Sequence, residues 1–183
     1  MKKKLAVFFP GRRYGVDCPL LYYAEKICKN YGYETVLLYY SEHRDAKDMI
    51  SISENIKQVK DDLEQKLSPI KWKDYEKIVF VSKSIGTVLA GYTEQKNHLH
   101  VHQIYLTPLE ETFPYMKKEN TMVIAGTRDP YLPAERLKQF CEENRIEVRW
   151  IEGVRHSLEE ESVRKTLLHL EQIMEWIEEF IKD

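Results

Sequence analysis

The chain has 183 residues, 43% hydrophobic and 32% charged, a length and composition suited to one domain, residues 1–183, built around one core. Its 28 basic against 30 acidic side chains give a net charge of −2, which argues against nucleic acid as a partner. No segment approaches the roughly 18 apolar residues of a membrane span, so no membrane partner is expected.

In chain order, Lys4–Phe9 (KLAVFF) is the first expected strand. This run ends at Pro10-Gly11 and two arginines, too soon for a secretory signal. Leu20–Asn30 has helical spacing, and Glu34–Tyr40 (ETVLLYY) reads as the second strand. A polar helix is expected over Asp48–Leu67, with Ile50, Ile52, Ile56, Val59 and Leu63 along one side. Lys77–Val81 is the third strand and Ser84–Thr93 begins a helix. Val101–Leu106 and Thr121–Ala125 are strands four and five. A helix over Pro133–Glu143 starts at a proline whose missing N–H costs nothing there. Glu147–Ile151 is strand six. Glu160–Lys182 closes as an amphipathic helix with Val163, Leu167, Leu170, Ile173, Met174 and Ile177 on its apolar side.

Short, nearly continuous apolar strands alternating with helices predict an α/β fold, a three-layer doubly wound arrangement around a mostly parallel sheet. Ligands in such folds bind beyond the carboxyl ends of the strands. The residues that follow each strand are therefore the ones to search.

After strand three comes VFVSKSIGT, Val79 to Thr87. A serine on a sharp strand-to-helix turn needs small residues two before and two after it. That pattern selects Ser84, with Ser82 and Gly86 as its small neighbours. A phosphate loop would need a longer glycine-rich stretch before Lys83-Ser84. After strand five, GTRDPYLP offers Asp129, either a carboxylate that orients an imidazole or a turn residue preparing a helix. After strand six, EGVRHSLE offers His156. The three follow different strands at one sheet edge, in the order Ser, Asp, His.

On these segments the chain resembles the α/β-hydrolase superfamily over nearly its whole length. The resemblance implies a shortened α/β-hydrolase fold with six strands in the order 2-1-3-4-5-6, and a nucleophile Ser84, a base His156 and an orienting Asp129. It implies an oxyanion hole from the backbone N–H groups of Ile85 and, after the first strand, Arg12. Arg13, Tyr14 and Tyr131 are candidates for contacting substrate. The segment Thr107–Asn120 is too short for a cap domain, so an open site for a small ester or thioester is expected. No cofactor and no metal is required. A peptidase or amidase in the same fold, or a non-catalytic binding protein, are the alternatives.

Arg12, Arg13, Lys83, Arg128 and Arg155 all fall in loops at the expected active edge. Either they form a positive rim for an anionic substrate, or they face solvent and pair with acids such as Glu110 and Glu111. His98, His100 and His102 alternate on an extended segment, a spacing zinc could use, but at the edge opposite the site. A solvated strand start explains them better. His43 and His169 have no suggestive neighbours. Cys18, Cys28 and Cys141, an odd number at wide spacing, point to reduced thiols in a cytoplasmic protein. Tyr22-Tyr23 and Tyr39-Tyr40 are expected to cover the sheet with their hydroxyls in water.

Overall fold

The computed structural model describes residues 3–40 and 52–182. Among them six strands form one all-parallel sheet: β1 Lys3–Phe9, β2 Tyr33–Leu37, β3 Tyr75–Lys83, β4 His102–Leu106, β5 Thr121–Gly126 and β6 Val148–Ile151. Their order is β2-β1-β3-β4-β5-β6, the order that the resemblance to the α/β-hydrolase superfamily implied. The helices are α1 Pro19–Asn30, α2 Ile52–Leu67, α3 Ile85–Lys96, α4 Ala134–Asn144 and α5 Val163–Lys182. The expected helix start at Asp48, together with Ile50 and His43, lies outside the described residues, as do the side chains of Ile52 and Ile56.

Strand alternation builds the layers. In β1, Ala6 and Phe8 face α1 and α5 together with Val79 and Val81 of β3. Leu5, Val7 and Phe9 face the opposite way with Ile78 and Phe80, toward Val59, Leu63 and Leu67 of α2 and Val88 and Leu89 of α3. Tyr105, Val123 and Ala125 meet Leu137 and Cys141 of α4. Both faces of the sheet are thereby covered, which is why its strands read as apolar runs without polar alternation.

Three expectations need correction. Strand two ends at Leu37, and Tyr39 and Tyr40 lie beyond it. Tyr40 does not send its hydroxyl into water: the oxygen is buried with no hydrogen-bond partner among the described residues. In α5, Ile173 and Ile177 are buried as expected, with Ile181 one turn further on, but Val163 and Leu167 are 73% and 58% exposed. Helical periodicity identifies a face, not the extent of the surface opposite it, and a 20-residue helix spans about 30 Å beside a four-residue strand β6.

Of the alternating histidines, His98 and His100 are exposed and His102 sets its ring against Phe180. Among the described residues no cluster of three metal-ligating side chains exists. No described helix is long and apolar enough to cross a membrane.

Candidate active site

Ser84 stands between β3 and α3 with φ 55° and ψ −124°, a conformation that costs an L-residue energy and persists only where its surroundings hold it. They do so on both sides. The Ser84 N–H donates to Leu106 O at 3.1 Å. Its carbonyl accepts from Thr87 N at 2.9 Å and from Thr87 Oγ1 at 2.6 Å. Thr87 is fully buried and its hydroxyl also meets Thr112.

The small neighbours have separate reasons. A Cβ on Gly86 would lie 2.2 Å from the Phe9 carbonyl oxygen, so only glycine lets α3 approach the end of β1. Ser82 is fully buried and donates to Ile104 O at 3.0 Å, turned toward the neighbouring strand.

The loops after β5 and β6 are laced to each other. Thr127 N donates to Ile151 O and Arg128 N to Val154 O. A turn closed by Leu158 N to Arg155 O presents His156 toward Asp129. Asp129 is buried; its Oδ1 accepts the Tyr131 N–H at 2.9 Å and its Oδ2 lies 2.7 Å from His156 Nδ1. His156 Nε2 lies 2.8 Å from Ser84 Oγ. The carboxylate accepts, so Nδ1 carries the ring proton and Nε2 is left to accept from the Ser84 hydroxyl. Burial lowers the His156 pKa below its ordinary 6.5, opposed by the hydrogen bond to Asp129 and reinforced by the charge of Lys83. The imidazole is thus a neutral acceptor at neutral pH.

A cavity of about 460 Å³ opens over Ser84, lined among others by Gly11, Arg12, Arg13, Tyr14, Ile85, Tyr131 and His156. Gly11 N is engaged with Tyr14 O at 2.9 Å, so the next N–H along that loop is that of Arg12.

Comparison with solved structures decides the architecture. An alpha-beta serine hydrolase homologue from Coxiella burnetii superposes with a TM-score of 0.68 at 13% identity, covering 98% of this chain and 85% of its own. Est1E from Butyrivibrio proteoclasticus with ferulic acid bound gives 0.68 at 12%, covering 100% and 92%. The Pyrococcus furiosus esterase Pf2001 gives 0.67 at 15%, covering 99% and 82%. The chain has the α/β-hydrolase fold. No family model matches the sequence, and no curated protein matches it.

Within this hydrolase fold every sequence-selected site residue reaches the same edge. Ser84, His156 and Asp129 form one hydrogen-bonded line, and Ile85, Arg12, Arg13, Tyr14 and Tyr131 line the cavity above it. Tyr131 is 66% exposed and sets its ring against that of His156, centroids 4.7 Å apart. The Tyr14 hydroxyl is already engaged, accepting the Leu20 N–H at 2.9 Å.

The expected basic rim loses one member. Lys83 is 1% exposed, because it continues the face of Val79 and Val81 into the layer beneath the loops. Arg13, Arg128 and Arg155 are exposed, and Glu110 pairs with Arg136 rather than with the edge-loop bases. Sequence reasoning also passed over Thr87 and Thr107. Thr87 was visible in SIGT as a polar residue one turn after the elbow serine, where its hydroxyl can reach back to that carbonyl. Thr107 carried no signal.

Proposed function

We propose that the protein is a serine hydrolase that cleaves a small carboxylic ester or thioester through an acyl-enzyme on Ser84. The observation that carries this reading is the unbroken hydrogen-bonded line from Asp129 through His156 to a strained Ser84 facing a cavity. A binding protein has no use for a serine held in a costly conformation against a neutral imidazole.

His156 Nε2 takes the hydroxyl proton as Ser84 Oγ bonds to the substrate carbonyl carbon, and the carbonyl π pair moves onto oxygen. The backbone N–H groups of Ile85 and Arg12 face the resulting oxyanion. Asp129 stabilises the imidazolium and fixes its ring. As the tetrahedral intermediate collapses, the bond to the alcohol or thiol breaks and His156 returns the proton to that leaving group. Water then repeats the sequence on the acyl-enzyme and releases the acid. The segment between β4 and β5 supports an uncapped site, since its 3₁₀ helix Glu110–Tyr115 packs on α3.

A fluorophosphonate probe tests the reading. Labelling of the wild-type protein that is lost in Ser84→Ala and kept in Ser82→Ala is the expected result. Folded wild-type protein that takes up no label overturns it and favours a binding role.

A further inference from the structure

We infer that Lys83 is a positioning residue for this reaction: its ammonium group ties the main chain at His156 to the end of β4 and so sets where the imidazole stands against Ser84. The inference rests on the serine-hydrolase reading.

The geometry is specific. Lys83 Nζ donates to the His156 backbone carbonyl at 2.6 Å and to Thr107 Oγ1 at 2.5 Å, and it faces the Tyr14 ring with its centroid at 5.3 Å. Two hydrogen bonds, to a carbonyl oxygen and a hydroxyl, anchor the nitrogen, and it lies over an aromatic face within cation–π range. These three partners come from three different loops, after β6, β4 and β1. Lys83 itself ends β3 and immediately precedes Ser84. One side chain thus joins the chain next to the serine to the chain that carries the histidine. The cage is itself held in place. Tyr14 is fixed by the Leu20 N–H, and the Thr107 N–H donates to Ile124 O.

A purely structural role does not account for a cation here. An apolar side chain of similar length would fill the site with no desolvation cost. The charged and titratable groups that face Lys83 are Asp129 from the loop after β5, His156 and Glu159 from the loop after β6, and Tyr14 from the loop after β1. Asp129 and Glu159 favour the charged amine, while burial, the larger effect, brings its pKa down to about 7. The positive charge in turn disfavours a proton on His156 and helps to keep it a base.

Lys83→Met tests the inference with two readouts. One is the maximal rate of fluorophosphonate labelling between about pH 5 and 9, a window that spans histidine titration. The other is the His156 ring pKa by NMR. The maximal rate is expected to fall about 10- to 100-fold, the scale of a small misplacement of a reacting group, and the His156 pKa to rise. Lys83→Arg, which keeps the charge, is expected to hold the His156 pKa near the wild-type value. A Met variant labelled at the wild-type rate, or with an unmoved His156 pKa, overturns the inference. Thr107→Val serves if the Met variant does not fold. It removes one acceptor and is expected to slow labelling several-fold, and an unchanged rate overturns the inference equally. Wild-type protein that takes no label defeats the hydrolase reading and this inference with it. Labelled wild-type and equally labelled Met variant defeat only the inference.

Discussion

Gly86→Ala places a methyl group where the structure has backbone. The new Cβ would lie 2.2 Å from Phe9 O, 2.6 Å from Pro10 O and 2.7 Å from Phe9 C. Real Cβ atoms do not approach closer than 3.0 Å, so the closest contact must open by about 0.8 Å. None of the three atoms belongs to a flexible side chain. Either the first turn of α3 or the end of β1 has to move. Overpacking of this kind costs about 1–3 kcal/mol, which lowers the melting temperature by about 2–12 °C for a domain of this size. The segment that moves leads directly into Gly11 and Arg12 over Ser84, and a displacement near 1 Å at such a site costs about 100-fold in rate. Thermal melts by circular dichroism and the rate of fluorophosphonate labelling measure both effects. Gly32→Ala is the control. Gly32 has φ +78°, a methyl group there would meet nothing within 4 Å, and the residue precedes β2 at the opposite edge of the sheet. It is expected to lose about 1–2 kcal/mol through backbone strain with labelling unchanged. A Gly86→Ala protein that melts and labels like wild type refutes the close-approach argument.

Labelling of Ser84 requires neutral His156, whose pKa is lowered by burial. On acidification the rate is therefore expected to reach half its maximum below pH 6.5 and then to fall tenfold per unit. A midpoint at or above 6.5 in a pH–rate profile contradicts this. Ser82→Gly loses the hydrogen bond to Ile104 O and adds backbone freedom, about 1–2 kcal/mol together. Urea melts are expected to show that loss while labelling persists, and abolished labelling would mean the hydroxyl acts in the reaction. Lys83 has its pKa brought from 10.5 to about 7 by burial, so between those values the unfolded chain holds more protons and stability rises with pH. Lys83→Met removes this dependence. Its stability relative to wild type is expected to be most favourable at or below pH 7 and to decline toward pH 10, by on the order of 4 kcal/mol. Denaturant melts that give the same difference at both pH values refute it. If Arg13, Arg128 and Arg155 attract an anionic substrate, matched anionic esters should exceed neutral ones in kcat/KM at low salt and lose the advantage as salt rises. Equal efficiencies at low salt remove that reading.

The sequence by itself determined a covered parallel sheet and the edge to be searched, while the strand order came from the resemblance to the α/β-hydrolase superfamily. Apolar runs such as KIVFV and TMVIA between helical stretches admit only a sheet covered on both faces, and parallel connections bring every strand's carboxyl end to the same side. That is why Ser84, Asp129 and His156 were legible although 72 residues separate the first from the last. Each occupies the loop that its own strand delivers to the common edge. The contents of the layer under those loops were not legible. Lysine usually takes its charge to water, so Lys83 reads as a rim residue in any local window. Only the folded chain brings it a hydroxyl 24 residues away and a carbonyl 73 residues away, and closes Tyr14 over it. Val163 and Leu167 fail for a related reason: periodicity marks a face of α5, whereas burial depends on how far the sheet extends beneath it. Local pattern assigns an element and an edge because these follow from the chain's own period. Which groups surround a given side chain depends on distant segments, and tertiary structure alone decided that Lys83 is enclosed beside the site rather than displayed around it.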